Sequence, residues 1–325
     1  MNSRQSKRTS PRRIIAVSLF AASVLTALNA FSEGGKIAFT SNRDGKQAIY
    51  IMNSDGGNPV RLSSGSHPSW SPDGKRIAFS FGLNRFRGDI SDILVMNADG
   101  KNRVNLTKGR HKGNRAPDWS PDGEKIAFMS NRSGQTNIYV MDADGKHTVN
   151  LTPGFEFAHS PDWSPDGKRI VFGADGDIFV MNARGADRMN LTQNPRASDL
   201  TPSWSPDGRK IAYSASPKPG LWFAPYNIYV MNADGTHPVM LTEERRWAYE
   251  YTPSWSNDGT RIVYDRQEPD GTSDVYAINA DGSGAANLTR TPRVSDHSAS
   301  WRPSGLSVPR TARLVTSWCE LKGAR

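Results

Sequence analysis

The sequence is nearly free of cysteine, because Cys319 is the only one among its 325 residues. A single thiol cannot form a disulfide within the chain, so packing and hydrogen bonds must stabilise the fold even in an oxidising compartment. Beyond residue 32 the sequence also lacks a long apolar run. We therefore expect no membrane span in the chain once a leader has been removed.

An excess of charge of one sign is missing from most of the chain, although the formal net charge is +9. Residues 1–32 contain five of the 41 basic residues and no acidic residue, and 302–325 contain five more beside a single glutamate. Residues 33–301 are left with 31 basic and 31 acidic residues. A neutral body of this kind argues against a nucleic acid as the main partner.

The first 32 residues are organised like a secretory signal peptide. Basic residues at positions 4–13 precede an apolar run at 14–27, and small residues follow, so cleavage is expected after Ala30 or Ser32. The alternative is an uncleaved anchor, since the run is near the short limit for a membrane span. We predict a bacterial protein that is periplasmic or secreted.

What the sequence does contain is one short motif in six copies. The first five read Pro-(Ser/Asp)-Trp-Ser-(Pro/Asn)-Asp-Gly, and the last reads Ala-Ser-Trp-Arg-Pro-Ser-Gly. Successive copies stand 41 to 51 residues apart, and their tryptophans are Trp70, Trp119, Trp163, Trp204, Trp255 and Trp301. This period, with four short strand-like runs per unit, predicts propeller blades rather than a helical solenoid.

Each unit contains four predicted strands, which we name A to D. In the first unit strand A ends at Trp70, strand B covers 76–79, strand C covers 92–96 and strand D covers 104–107. The N-terminal part offers strands B to D without a strand A, and residues 298–301 offer a strand A alone. Joining the two predicts an all-β, six-bladed propeller of antiparallel blades over residues 33–305. We expect a monomer with a disordered basic tail at 306–325.

The motif copies, the (Asp/Asn)-Ile-Tyr-Val-Met-Asn-Ala-Asp-Gly runs and the closing Leu-Thr pairs resemble the WD40-like repeats of the TolB family over about residues 36–305. The resemblance implies a periplasmic propeller that binds an envelope protein or peptide, such as a peptidoglycan-associated lipoprotein. It does not imply an enzyme, although similar repeats occur in oligogalacturonate lyases and beside peptidase domains. We expect the α/β domain that precedes the propeller in TolB proteins to be absent.

Comparison of the six units indicates where binding takes place. The B–C and D–A connections vary in length and open on the same face, and variable loops on a rigid frame commonly carry function. In one blade both connections are rich in aromatic residues and arginine, which dominate protein–protein hot spots. The predicted partner-binding residues are Trp222, Phe223, Tyr226, Arg245, Arg246, Trp247, Tyr249 and Tyr251. The alternative is that these aromatic side chains fold down onto their own loops or plug the channel.

A second set of residues is expected at the mouth of the central channel, shortly before the tryptophans: His67, Arg115, His159, Asp199, Glu250 and His297. Three histidines could bind a metal, but they belong to blades spread around the ring. We therefore predict no metal, no cofactor and no catalytic residue. Two alternatives remain open: a metal-dependent lyase acting on acidic sugar polymers, and a sensor of a small ligand or glycan.

Overall fold

The structure is a computed structural model that describes residues 35–82, 90–108, 113–193, 198–216, 225–243 and 248–303. Within these ranges the chain forms six four-stranded antiparallel sheets and no helix. No described segment is therefore a helix that could cross a membrane. The predicted signal peptide and C-terminal tail lie outside the described residues.

The strands are numbered in chain order, and each group of four forms one blade. The first three strands of the chain belong to blade six, whose remaining strand is β24: β1 (Lys36–Ser41), β2 (Ala48–Asn53) and β3 (Val60–Ser64). Blades one to three consist of β4 (Ser66–Trp70), β5 (Arg76–Gly82), β6 (Ser91–Asn97), β7 (Val104–Asn105); β8 (Asn114–Trp119), β9 (Lys125–Ser130), β10 (Asn137–Asp142), β11 (Val149–Asn150); β12 (Ala158–Trp163), β13 (Arg169–Ala174), β14 (Asp177–Asn182) and β15 (Met189–Asn190). Blades four and five, with the last strand, are β16 (Ser198–Trp204), β17 (Lys210–Ser216), β18 (Asn227–Asn232), β19 (Val239–Met240); β20 (Tyr249–Trp255), β21 (Arg261–Gln267), β22 (Ser273–Asn279), β23 (Ala286–Asn287) and β24 (Asp296–Trp301).

The ring closes through its two ends, as the sequence predicts. Strand β24 pairs antiparallel with β1, so that Ile37 lies opposite Trp301 and Ala38 lies opposite Ser300. The sixth sheet therefore has the order β24-β1-β2-β3. Closure removes the open sheet edge that a linear array would expose at β1.

Strand A of each blade, which ends at the repeated tryptophan, is the innermost strand. Strands β4, β8, β12, β16, β20 and β24 each contact the next one around the ring. They therefore surround the central channel, while the two-residue strands such as β7 form the outer edge. Half-exposed side chains on the innermost strands are the ones that line the channel.

The repeated tryptophan is a wedge between neighbouring blades. Trp70 is buried and packs against Ala38 and Ile49 of the preceding blade. A basic residue from the neighbouring blade lies over the ring in several copies, as where the Arg76 guanidinium stands 4.5 Å from the centre of the Trp119 ring. Apolar burial and cation–π contacts thus hold successive blades together.

The Ser-Pro-Asp-Gly part of the motif forms the turn between strands A and B. The backbone N–H of Gly74 donates to the Ser71 carbonyl at 2.8 Å, and Gly74 has a φ of +64°. The Ser71 hydroxyl donates to Asp73 at 2.6 Å and accepts from the backbone N–H of Arg76 at 2.9 Å. The motif therefore encodes a turn, not a catalytic site.

A β-bulge interrupts every innermost strand at the residue three before the tryptophan. These six residues are not glycine, yet all have a φ near +50°: His67, Ala116, Ser160, Thr201, Thr252 and Ser298. The bulge directs backbone N–H groups toward a neighbouring blade, where His67 donates to the Thr40 hydroxyl at 3.0 Å and Ser298 donates to the Asp265 carboxylate at 2.8 Å. Bulges commonly re-aim side chains beside binding sites, and here they shape the channel wall.

Candidate functional site

The two ends of the channel differ in what surrounds them. Antiparallel strands place the A–B and C–D turns at one end of the ring, which we call the turn face. They place the B–C and D–A connections at the other end, which we call the loop face. The C–D turn keeps one length in all six blades and the A–B turn keeps one length in the five blades that have it, whereas the loop-face connections vary. The loop face is therefore the candidate recognition surface.

Three tyrosines meet at the loop face between blades four and five. The ring centres of Tyr226 and Tyr251 are 5.1 Å apart, and Tyr249 stacks on Tyr251 at 6.4 Å with nearly parallel planes. Burial, followed by the two neighbouring phenols, raises the pKa of Tyr251. We call these residues the tyrosine cluster. The other members of the predicted aromatic site, namely Trp222, Phe223, Arg245, Arg246 and Trp247, lie outside the described residues.

Two histidines meet where blades six and one adjoin, and an arginine of blade two contributes a positive potential there. The imidazole rings of His67 and His297 are 6.2 Å apart, because ring closure makes blades six and one neighbours. Arg115, on blade two, adds a positive potential at His67. Burial lowers the pKa of His67 to about 3, and the positive potentials of His297 and Arg115 lower it further in that order. We call His67, Arg115 and His297 the cationic arc.

Polar neighbours orient the two imidazoles of the cationic arc. Nδ1 of His67 is 3.1 Å from the Ser66 hydroxyl, and Nδ1 of His297 is 3.0 Å from the Ser298 hydroxyl. The side-chain amide of Gln47 reaches within 3.4 Å of Nε2 of His297. Both rings are thus held by the nitrogen nearer their own backbone.

The third predicted histidine belongs to the wall and not to this arc. His159 is only 7% exposed, and burial lowers its pKa to about 4. Its ring occupies the space above Gly173, where an added Cβ would stand 2.4 Å from Cε1 of the imidazole. In the described ranges no three His, Cys, Asp or Glu side chains group closely enough to hold a metal ion.

The two predicted acidic residues of the mouth are also buried in the wall. Glu250 forms an ion pair with Arg266 at 2.7 Å, with both side chains almost inaccessible. Burial raises the pKa of Asp199 to about 6. The mouth therefore presents the cationic arc and the tyrosine cluster, with carboxylates set behind the surface on blades four and five.

Sequence reasoning missed a pair of carboxylates near the turn face. The backbone N–H of Trp163 donates to Asp118 at 2.9 Å, and that of Trp204 donates to Asp162 at 2.7 Å. Burial raises the pKa of Asp118 to about 6, and burial together with the charge of Asp118 raises the pKa of Asp162. Both residues line a cavity of about 240 Å³. The available signal was the residue before the tryptophan, which is aspartate in copies two and three and serine elsewhere.

A further missed group is Asp265, which follows the apolar run 262–264 of strand β21. One carboxylate oxygen accepts from Ser298 and from the Thr252 hydroxyl, while the other is buried and has no hydrogen-bond partner. Burial raises the pKa of Asp265 to about 7. The sequence signal that could have found it is an acidic residue at a strand position where the other five units have a neutral one.

Comparison with known proteins agrees with this architecture. Residues 66–177 match the family model described as the TolB beta propeller domain. TolB from Acinetobacter baumannii has a similar structure with a TM-score of 0.70 and 23% identity, covering 90% of this chain and 74% of that one. A putative TolB from Agrobacterium tumefaciens is similar with a TM-score of 0.61 and 19% identity, covering 82% of this chain and 98% of that one. The chain therefore has the fold of a TolB-like propeller.

The same fold also occurs in an enzyme. An oligogalacturonate lyase from Vibrio parahaemolyticus has a similar structure with a TM-score of 0.54 and 14% identity, covering 78% of this chain and 74% of that one. No curated protein sequence matches the chain significantly. The choice between a binding protein and an enzyme therefore depends on the chemistry of the channel mouth.

Proposed function

We propose that this protein is a periplasmic, TolB-like binding propeller that engages an envelope protein or peptide through its loop face. The observation that carries the proposal is the channel mouth, where the tyrosine cluster belongs to blades four and five and the cationic arc to blades six, one and two of one closed ring. The signal-peptide pattern in residues 1–32 supports a place outside the cytoplasm. The TolB-like fold supports binding rather than catalysis, although fold alone does not determine function.

The physical basis is the combination of a rigid frame with anchor residues. Closure and the tryptophan wedges fix the loop bases, so little conformational entropy is lost there on binding. Tyrosine and arginine side chains bury large contact areas and donate directed hydrogen bonds, which is why they dominate hot spots. The partner that best fits the resemblance is a peptidoglycan-associated lipoprotein or another envelope protein.

The test is affinity capture from an envelope extract with paired variants of the two faces. Tyr226→Ala combined with Tyr249→Ala removes the two outer tyrosines of the cluster, and should weaken binding by about 2 kcal/mol or more if they are hot spots. Lys146→Ala with His147→Ala is the matched control, because both residues are exposed on the turn face. Loss of capture in the control variant alone would contradict the proposal.

An oligogalacturonate-lyase-like enzyme is the second candidate, and the pairing of His67 with His297 beside Gln47 favours it. Imidazole nitrogens are ligands of transition-metal ions, and the oxygen of an amide such as Gln47 is a ligand type that suits Mn²⁺. If this candidate is correct, the purified protein should bind Mn²⁺ stoichiometrically and release unsaturated product from oligogalacturonate. Both properties should then be lost in His297→Ala and retained in His147→Ala.

A further inference from the structure

Phe157 is the only exposed aromatic side chain among the residues that the structure describes, with 49% of its surface accessible. It directly precedes β12, at the end of a D–A connection, and so lies on the loop face. One side of its ring contacts the imidazole of His159 in the channel wall, with the ring centres 5.1 Å apart. Aromatic residues are enriched in protein–protein interfaces, so this ring is a candidate contact for a partner.

The backbone around Phe157 is held by both neighbouring connections. The N–H of Asp175, on blade three, donates to the Phe157 carbonyl at 3.3 Å. The N–H of Ala158 donates to the carbonyl of Thr136, on blade two, at 2.8 Å. The B–C connection of blade three consists of residues 175–176 alone and is the shortest of the six, so it adds few side chains that could cover the ring. The ring is therefore both accessible and fixed at its base, which lowers the entropy lost on binding.

Two exposed carboxylates flank this ring. Oδ1 of Asp175 stands 3.4 Å from the backbone nitrogen of Phe157, and Glu156 is the preceding residue. Neither carboxylate forms an ion pair in the part of the chain that the structure describes. The patch thus combines an aromatic face with uncompensated negative charge, which is the complement of a cation with apolar faces.

The protein already holds two of its own arginines in this way at the loop face. The Arg266 guanidinium lies 4.1 Å from the centre of the Tyr276 ring and 2.7 Å from the Glu250 carboxylate. Arg43 lies over two aromatic rings and pairs with Asp296 at 3.1 Å. Beside Phe157 the ring and the carboxylate are both present, but no arginine of the described ranges occupies them.

We propose that Phe157 and Asp175 bind an arginine side chain of the partner, whose guanidinium stacks on the exposed ring and donates to the carboxylate. This inference rests on the proposed function and deepens it, because it names a side chain that the envelope protein or peptide presents to the loop face. Arginine suits both contacts, since its planar guanidinium stacks on aromatic faces and carries several N–H donors. Glu156 adds negative potential beside the site.

The test uses the purified protein and a defined probe, so it does not depend on identifying the partner. The probe is N-acetyl-glycyl-arginyl-glycinamide, and its control is the same peptide with citrullinyl, which keeps the shape of arginine without the charge. The backbone amide NMR signals of Ala158 and Gly176 are followed during each titration. The arginyl peptide should shift both signals in a saturable manner. The citrullinyl peptide should bind about tenfold more weakly, because it forms neither the cation–π contact nor the ion pair.

Three variants locate the contact. Phe157→Leu keeps an apolar side chain without a ring and should weaken binding of the arginyl peptide about threefold. Asp175→Asn keeps an acceptor for the Phe157 N–H and a residue type that tolerates the φ of +52°, and should weaken binding about three- to fivefold. Glu124→Gln is the matched control, because it also removes one negative charge but lies exposed on the turn face between β8 and β9. It should leave the affinity unchanged, and thermal unfolding of all three variants should match that of the wild-type protein.

Three outcomes would overturn the proposal. The first is the absence of saturable shifts with the arginyl peptide, and the second is equal binding of the two peptides. The third is an unchanged affinity in both Phe157→Leu and Asp175→Asn. If an envelope partner is still captured through the tyrosine cluster in these cases, the proposed function stands while the arginine site fails. If the arginyl peptide binds as expected but no envelope partner is captured, the site stands and the proposed function fails.

Discussion

Removal of strand β24 should open the ring and largely unfold the protein. Truncation after Ser295 removes Trp301, which is only 7% exposed, and Asp296, which forms a buried ion pair with Arg43 at 3.1 Å. Loss of one buried tryptophan side chain commonly costs about 3–5 kcal/mol, against a total stability of about 5–15 kcal/mol for a domain. The truncation also exposes the edge of β1, so aggregation is expected as well.

The assay is urea unfolding followed by tryptophan fluorescence, with size-exclusion chromatography of each protein. Truncation after Pro303 is the control, because it keeps β24 and Arg302, whose guanidinium lies 5.4 Å from the centre of the Trp70 ring. Trp301→Ala provides a milder change that should lower the free energy of unfolding by about 3–5 kcal/mol. A protein truncated after Ser295 that remains monomeric with an unchanged urea midpoint would refute closure through the termini.

Three further predictions concern buried groups of the wall. The pKa of Asp265 is raised to about 7, so in the folded protein its carboxyl keeps a proton that the unfolded chain loses above about pH 4. The free energy of unfolding should therefore fall as the pH rises from about 4 to 7. Asp265→Asn should raise the melting temperature relative to wild type at about pH 8 and change it little at about pH 4. Gly173→Ala should destabilise by about 1–3 kcal/mol because its Cβ meets the His159 ring, and His159→Ala should relieve most of that loss in a double-mutant cycle. Asp162→Asn keeps an acceptor for the backbone N–H of Trp204 and removes the charge repulsion between residues 162 and 118. The urea midpoint at about pH 8 should therefore rise. A lower midpoint would contradict the claim that the two carboxylates repel each other.

The four-stranded blade and the closure of the ring could both be predicted from the sequence, because both follow from short motifs that recur along the chain. The Ser71–Gly74 turn uses residues within a few positions of each other, and its repetition marks every blade. Strand D was predicted too long, at 104–107 against Val104–Asn105 for β7. The Asn105 side chain accepts from the backbone N–H groups of Thr107 and Lys108, which ends the strand after two residues.

The site was less predictable because it depends on distant parts of the chain. His67 and His297 are 230 positions apart in sequence, and they meet only because blade six is built from both ends. The histidine-bearing blades one, three and six were expected to be spread around the ring, whereas blades six and one are neighbours. Burial of His159, Asp199 and Glu250 likewise follows from which side of the innermost strand each residue occupies, which the bulge alters.

Site-specific photo-crosslinking in cells tests the central claim, that the loop face binds an envelope partner, most directly. Benzoylphenylalanine would replace Tyr249 at the loop face or, as the control, His147, which is exposed on the turn face. The account predicts a discrete crosslink to an envelope protein from position 249 and none from position 147. A crosslink from position 147 alone, or none from position 249 in a folded and exported protein, would contradict it.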